Sequence, residues 1–289
     1  MKSRTGFDRT KRPFPNTVGM IGNGVYETRG AENIRRVVKK TCLYGYNLVD
    51  TAQRYFNEKQ VGAGLPPANR ILYHNPHSHS APKTVHYDTI IERPFVVTKV
   101  WDLDISDKSV LERIKFLKGH VDCILLHSPY GDYVSRWIRL KELCKKYNVP
   151  CVGVSNFHIE ELESVYKATG EYPEFNQIEV SVFGQNRKTV KYCIKNNIQI
   201  MTYSPLSRGK FLNHPTVVKI SKKHGCSAAN VLLNWGRMHG FWVITKAELE
   251  EHIKENILKI ELDQNDMRLL QELDQNYYTF VNHNPIGTH

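Results

Sequence analysis

Short apolar runs alternate along this chain with longer stretches of helical periodicity. The runs are rich in Val, Ile and Leu and too short for helices; they cover residues 17–25, 47–50, 95–99, 122–127, 151–155, 175–180, 198–203 and 242–245. The helical stretches include 32–44, 109–118, 137–147, 159–169, 188–196, 228–238 and 249–257. Strands buried on both faces and separated by helices form parallel βαβ units.

Polar residues close nearly every apolar run, and this favours one architecture over another. They are Asp50, Lys99, His127, Ser155-Asn156, Tyr203-Ser204 and Thr245-Lys246. In a (β/α)8 TIM barrel, the active site lies at the C-terminal ends of the strands. The alternative, a doubly wound open sheet, normally carries a Gly-rich fingerprint after its first strand. The stretch from Gly22 to Glu27 lacks that pattern, so the sequence predicts an α/β fold with one barrel domain over residues 1–289.

Charge and composition narrow the function classes. The net charge of +11 predicts attraction to an anion, such as a phosphorylated cofactor, an acidic substrate or nucleic acid, or else only a basic surface. Lys and Arg are scattered with no run of five, so no nucleic-acid partner is expected. No apolar run approaches the roughly 18 residues of a membrane span. The six cysteines form no C-x-x-C pair, which predicts reduced thiols in a cytoplasmic protein.

Residues 66–94 are predicted to be a loop insertion. This segment holds five of the 13 prolines, at positions 66, 67, 76, 82 and 94. Its histidines His74, His77 and His79 have a spacing that could bind a metal ion or could simply belong to a polar loop. Because no Cys or carboxylate lies between them, we predict no metal site.

The segment Asp50-Thr-Ala-Gln-Arg-Tyr55-Phe-Asn57-Glu58-Lys-Gln-Val-Gly62 resembles the signature of the aldo-keto reductase family. Further blocks similar to that family follow in order: Val97-Thr-Lys99-Val-Trp101, Leu125-Leu-His127-Ser-Pro129, Val152-Gly-Val-Ser155-Asn156-Phe157, Asn176-Gln177-Ile-Glu179, Tyr203-Ser204-Pro205-Leu206, Ile244-Thr-Lys246 and Glu255-Asn256. The resemblance spans about residues 18–275. It implies a monomeric barrel that transfers hydride from NADPH to a small carbonyl substrate.

Carbonyl reduction also needs a proton donor at the developing alkoxide. An unperturbed tyrosine has a pKa near ~10 and is a poor acid at neutral pH, whereas a neighbouring ammonium favours the phenolate and lowers the pKa. Lys99 is the candidate ammonium, and Asp50 can hold it charged. The resemblance implies the same catalytic set: Tyr55 as general acid, Asp50 and Lys99 as groups that tune it, and His127 as the group that orients the substrate.

Each catalytic candidate also has a structural interpretation. Asp50 could cap a helix N-terminus, and Asp50 with Lys99 could be a structural ion pair. His127 could be a core histidine with satisfied hydrogen bonds, and Tyr55 could serve only packing. The order and spacing of all four together favour catalysis.

The resemblance also implies binding residues. The nicotinamide carboxamide would bind Ser155, Asn156 and Gln177, and its ring would stack on Tyr203. The pyrophosphate would meet Ser204 and Leu206, the adenosine 2′-phosphate would meet Lys246, and the adenine would lie near Glu255 and Asn256. Tyr26, Trp101 and His127 would line the substrate pocket.

Two positions depart from the family pattern for NADP. Members that prefer NADP usually follow the lysine with Ser or Thr and place an Arg six positions after it, whereas this chain has Ala247 and His252. NADP is the predicted cofactor and NAD the alternative, with Arg208 or Lys254 as compensating cations. A second hypothesis is a regulatory or structural subunit that binds nicotinamide cofactor but has lost useful catalysis. The complete set of four catalytic candidates argues against it.

Overall fold

Eight parallel strands close into a barrel in the computed structural model, which describes residues 20–67 and 93–280. Each strand pairs with the next along the chain, and β8 pairs with β1. The strands are β1 Ile21–Gly24, β2 Leu48–Asp50, β3 Phe95–Val100, β4 Cys123–Leu126, β5 Cys151–Ser155, β6 Phe175–Glu179, β7 Gln199–Tyr203 and β8 Trp242–Thr245. The predicted (β/α)8 TIM barrel is confirmed.

Helices surround the barrel and follow the strands in sequence. They are α1 Ala31–Leu43, α2 Glu58–Gly64, α3 Asp107–Phe116, α4 Tyr133–Lys146, α5 Ile159–Thr169, α6 Arg187–Lys195, α7 Pro215–His224, α8 Ala228–Met238, α9 Glu250–Asn256 and α10 Gln264–Gln271. Side-chain caps at Asp132, Ser227 and Asp263 accept hydrogen bonds from backbone N–H groups in the first turns of α4, α8 and α10. In the described ranges, none of these helices is long and apolar enough to cross a membrane.

Most of the predicted insertion at 66–94, with His74, His77 and His79, lies outside the described residues. Within the described ranges, no three His, Cys, Asp or Glu side chains gather as candidate metal ligands. All six cysteines are free thiols, and four of them are buried.

One end of the barrel interior is closed by an aromatic cluster of Phe95, Phe175 and Trp242. The ring centroids lie 6.0 Å apart for the two phenylalanines, and 5.1 and 4.9 Å from Trp242. Leu48, Val97, Leu125 and other apolar side chains pack with this cluster, and all of them point inward from the strands. This aromatic floor is the filled core that such barrels normally contain.

The site residues follow from the same strand periodicity. Side chains two positions apart on a strand point to the same face. Because Leu48, Val97 and Leu125 point inward, the polar residues two positions later also point inward. Continuing this rule around the barrel places a ring of polar side chains directly above the aromatic floor: Asp50, Lys99, His127, Ser155, Gln177, Tyr203 and Lys246.

Candidate active site

A cavity of about 710 Å³ opens at the C-terminal ends of the strands. Most residues that the sequence predicts for catalysis and binding line its wall: Tyr26, Asp50, Tyr55, Trp101, His127, Ser155, Asn156, Gln177, Tyr203, Ser204, Leu206 and Lys246. Lys99 lies just beneath the wall, fully buried, and contacts two lining residues. The strand ends therefore bring the four catalytic candidates together.

A buried ion pair forms the base of the site. The Lys99 ammonium nitrogen lies 2.8 and 2.7 Å from the two carboxylate oxygens of Asp50. It also donates to the Thr51 carbonyl oxygen at 2.9 Å and to the Tyr55 hydroxyl oxygen at 3.2 Å. Gln177 donates to Asp50 Oδ1 at 2.8 Å. Lys99 therefore links the Asp50 carboxylate directly to the Tyr55 phenol.

The sequence predicts that Lys99 lowers the pKa of Tyr55, but in the structure this pKa is raised. Burial, followed by the negative charge of Asp50, raises the pKa of Tyr55 well above its ordinary value. Burial also lowers the pKa of Lys99, and the Asp50 carboxylate opposes that effect. Because its pKa is raised, the Tyr55 hydroxyl keeps its proton at neutral pH and is available as a donor.

Local contacts fix the turn that carries Tyr55. Tyr55 ends a short 3₁₀ helix, Gln53–Tyr55. The Gln53 side chain accepts from the Trp101 backbone N–H at 2.8 Å and donates to Asp102 at 2.7 Å. Asn57 accepts from the Thr51 hydroxyl at 2.7 Å and donates to a carbonyl of the loop after β1 at 2.9 Å. These bonds explain why the motif carries Thr and Asn at these positions.

Glu58 belongs to the same motif but has a structural role. Its carboxylate lies 2.6 Å from Arg113 of α3 and accepts from the Thr98 hydroxyl at 2.6 Å. Both Glu58 and Arg113 are buried. The pair therefore ties α2 to α3 and β3 behind the active-site turn.

Aromatic side chains surround the Tyr55 hydroxyl. The ring centroid of Tyr55 lies 5.0 Å from that of Tyr26 and 5.9 Å from the imidazole of His127. The Trp101 ring stands edge to face with the same imidazole at 5.2 Å. This wall brings the rings of Tyr55 and His127 into contact in the cavity, where both could reach the oxygen of a bound carbonyl.

Amide and hydroxyl groups form the adjacent wall, beside Asp50. Asn156 donates to the His127 carbonyl oxygen at 3.0 Å and accepts from the Tyr203 hydroxyl at 2.8 Å. The Ser155 hydroxyl donates to the Gln177 backbone carbonyl at 2.9 Å. Phe280 stands edge to face with Tyr203 at 6.1 Å. These contacts hold the Tyr203 ring as a flat surface in the cavity wall.

The far end of the cavity is cationic, but one of its cations is paired. Lys246 lies 3.1 Å from Glu248, whose carboxylate also accepts from Thr28 at 3.2 Å and from Asn33 at 2.8 Å. Bonds from Asn33, Lys246 and Thr28 outweigh partial burial and lower the pKa of Glu248, so this carboxylate is ionised at neutral pH. The backbone of Ala247 bonds to the buried Asn23 side chain at 2.8 and 3.0 Å.

Three residues predicted to bind or to compensate do not line the cavity: Glu255, Asn256 and Lys254, whose ammonium nitrogen lies 3.4 Å from Glu250. Glu255 and Asn256 lie at the C-terminal end of α9 outside the cavity wall, and Asn256 is buried. His252 is exposed on α9. The assignment of Glu255 and Asn256 to the adenine stays a prediction.

The cavity wall also contains residues to which the sequence assigned no site role: Gly24, Glu27, Arg54, Pro205, Gly209, Ile244, Thr245 and Phe280. Thr245 directly precedes Lys246, and Arg54 directly precedes Tyr55, so the sequence could have indicated both as neighbours of predicted site residues. Phe280 follows the last strand by many residues, and no motif marks it. Arg208, predicted only as a compensating cation, also lines the cavity, with its guanidinium 4.8 Å from the Phe280 ring.

Comparisons with a family profile, with curated proteins and with solved structures all point to the same family. The profile of the Aldo/keto reductase family matches residues 19–275. The chain is 30% identical over 280 residues to the uncharacterised oxidoreductase YtbE of Bacillus subtilis, covering 93% of this chain and 94% of that protein. It is 30% identical over 265 residues to glyoxal reductase of the same organism, covering 88% of each. A mutant of Gox0644 solved in complex with NADPH is 32% identical, with a TM-score of 0.74 over 88% of this chain and 89% of that one.

Proposed function

The chain belongs to the aldo/keto reductase family, and from that membership we propose that it is an oxidoreductase that reduces aldehydes and ketones with NADPH, with Tyr55 as general acid. One observation carries the proposal: the buried Lys99 ammonium contacts both the Asp50 carboxylate and the Tyr55 hydroxyl at the cavity wall. This arrangement stabilises a phenolate that has given up its proton.

The donor groups of the cavity fit a nicotinamide dinucleotide. Ser155, Asn156 and Gln177 supply hydroxyl and amide groups beside the catalytic set, as a carboxamide requires. Tyr203 offers a flat ring, held by its bond to Asn156. Arg208 and Lys246 place positive charge farther along the wall, where Ser204 and Leu206 also lie, as a phosphorylated ligand requires. A nicotinamide bound there would supply the hydride for the carbonyl carbon.

Side chains of the protein then supply the proton that the carbonyl oxygen receives. The Tyr55 hydroxyl donates its proton to the carbonyl oxygen as negative charge develops there. Lys99 stabilises the phenolate that remains, and Asp50 keeps the ammonium charged despite its burial. The imidazole of His127, 5.9 Å from Tyr55 between ring centroids, orients the carbonyl oxygen toward the same hydroxyl. Tyr26 and Trp101 line the cavity around the reacting groups.

A first test measures cofactor binding and turnover separately. Quenching of tryptophan fluorescence by NADPH and by NADH would report binding, and loss of the reduced cofactor's absorbance with an aldehyde such as glyoxal would report turnover. We expect binding of NADPH and turnover of the aldehyde. Binding without turnover would instead support the regulatory-subunit hypothesis. Absence of binding to either nucleotide would overturn the cofactor assignment.

The pairing of Lys246 with Glu248 affects the choice between NADPH and NADH. A 2′-phosphate beside Lys246 would have to approach the Glu248 carboxylate, whereas a ribose 2′-hydroxyl could donate a hydrogen bond to it. The carboxylate therefore weakens NADPH binding relative to NADH. Glu248, together with Ala247 and His252 in place of two polar phosphate contacts, keeps NAD as the alternative cofactor.

Replacing Glu248 by Gln is expected to strengthen NADPH binding relative to NADH by roughly threefold to tenfold, because Lys246 loses its competing partner. Fluorescence titration with both nucleotides measures this ratio. Glu251→Gln is the control, since Glu251 is an exposed acid at the start of α9, three residues from Glu248, and Lys246 pairs with Glu248 and not with it. An equal shift in both variants would mean that only net charge matters. An unchanged ratio in Glu248→Gln would place the 2′-phosphate elsewhere.

A further inference from the structure

Arg54 directly precedes Tyr55 and lines the same cavity. Its guanidinium carbon lies 4.2 Å from the centroid of the Trp101 ring, a cation–π contact. The same Trp101 ring also contacts His127 edge to face, with the ring centroids 5.2 Å apart. One ring therefore contacts both the guanidinium and the imidazole that orients the substrate.

The position of this guanidinium is defined by the fold. The Gln53 side chain accepts a hydrogen bond from the Trp101 backbone N–H, which links the turn that contains Arg54 to Trp101. The Arg54 guanidinium stacks on the Trp101 ring. A guanidinium stacked on an aromatic ring keeps its N–H edge free for a planar acceptor. Arg54 thus presents hydrogen-bond donors in the cavity at a fixed place beside the catalytic groups.

Two other charged residues of the cavity wall have ion-pair partners, whereas Arg208, which the proposed function assigns to the cofactor phosphates, forms no ion pair within the described part of the chain. Asp50 pairs with Lys99, and Lys246 pairs with Glu248. In the described ranges, Arg54 forms no ion pair with any Asp or Glu side chain, and Glu27, the remaining acid of the wall, lies beyond ion-pair distance of it. The positive charge of Arg54 is therefore available to a ligand.

An exposed arginine without a partner is also common on protein surfaces, where water solvates it. Two features set Arg54 apart from such a residue: its stacking on an active-site tryptophan and its place in the cavity wall next to Tyr55. Arginine forms two parallel hydrogen bonds to carboxylate or phosphate oxygens, which no neutral side chain provides.

We propose that Arg54 binds an anionic group of the substrate, so that the preferred substrates are aldehydes or ketones that carry a carboxylate or a phosphate. This rests on the proposed reductase function and specifies its substrate class. The net charge of +11 supports it, because a positive surface attracts anionic compounds to the cavity.

Matched substrate pairs test the proposal. 4-Carboxybenzaldehyde is compared with its methyl ester, and glyceraldehyde 3-phosphate with glyceraldehyde, in the wild type, in Arg54→Gln and in Lys59→Gln. Lys59 is an exposed cation of the neighbouring helix that packs over Phe116 and does not line the cavity, so it controls for the loss of one charge.

We expect the ratio of kcat/KM for the anionic over the neutral member of at least one pair to fall roughly fivefold to twentyfold in Arg54→Gln. The same ratio should stay near its wild-type value in Lys59→Gln. The pair that responds identifies carboxylate or phosphate as the recognised anion. The wild-type ratio should also shrink as salt is added, because the charge is exposed to solvent.

A binding measurement separates this proposal from the reductase function. Quenching of tryptophan fluorescence is followed in the wild type and in Arg54→Gln with 4-methylbenzoate and with the neutral 4-methylbenzyl alcohol. Loss of benzoate binding in the variant supports the anion site even if no aldehyde is turned over, in which case the proposed function alone fails. Turnover of the neutral aldehydes without any anion preference in the wild type, or a ratio unaffected by Arg54→Gln, overturns the proposal for Arg54 and leaves the reductase function intact.

Discussion

Replacing Tyr55 by Phe is expected to lower kcat for aldehyde reduction by about 10²- to 10⁴-fold, with NADPH binding nearly retained. The substitution removes one hydroxyl, and that hydroxyl is the group that contacts the Lys99 ammonium at 3.2 Å. Without it, the developing alkoxide has no acid that is linked to the buried ion pair. Single-turnover rates with saturating NADPH measure the chemical step, and fluorescence titration measures binding.

Tyr26→Phe is the matched control for this prediction. Tyr26 lines the same cavity, and its ring lies 5.0 Å from that of Tyr55. The Tyr26 hydroxyl is not the one that contacts Lys99, so kcat should change by less than about tenfold. Equal losses in the two variants would point to a packing effect, and full activity in Tyr55→Phe would remove Tyr55 from the role of general acid.

Replacing Lys99 by Met is expected to lower the free energy of unfolding by about 3–5 kcal/mol and to abolish turnover as well. The side chains of Lys99 and Asp50 are 1% and 5% exposed, so the pair is shielded from water. Removing the ammonium leaves the Asp50 carboxylate buried, with Gln177 as its remaining side-chain hydrogen-bond donor among the described residues. Urea-induced unfolding of wild type and variant measures the stability difference.

The double variant Asp50→Asn with Lys99→Met tests the reason for that loss. It removes the uncompensated charge, so it should be more stable than Lys99→Met alone, although it should be equally inactive. Recovery of stability without recovery of turnover would separate the structural role of the ion pair from its catalytic one. A double variant as unstable as Lys99→Met would mean that packing of the lysine stem, and not burial of a charge, dominates.

The barrel could be predicted because each strand is a short apolar run. The predicted and observed limits of β5 and β8 coincide, and the predicted α5 and α8 also match. Three of the four candidate catalytic residues could be located for a related reason, because each closes an apolar run whose alternate side chains point into the barrel; Tyr55, in the turn after β2, could be located only from the family motif. The alternation of side chains along each strand therefore makes Asp50, Lys99 and His127 all point into the barrel.

Other features depend on contacts between distant parts of the chain. Glu248 lies beside Lys246 because Thr28 and Asn33, from the loop after β1 and from α1, hold its carboxylate, and no local pattern encodes that. Phe280 enters the cavity from the C-terminal segment. The raised pKa of Tyr55 comes from burial, which a sequence does not reveal, so the expected direction of that shift was wrong.

The aromatic floor of Phe95, Phe175 and Trp242 fills the barrel interior at the end opposite the cavity. Lys99 is fully buried between that floor and Tyr55, whose side chain lines the cavity. In the proposed reaction, the proton that Tyr55 gives up must be replaced from bulk water through the opening by which the alcohol product departs. Restoration of the acid and release of product therefore share one route, and a ligand that lingers in that opening delays both.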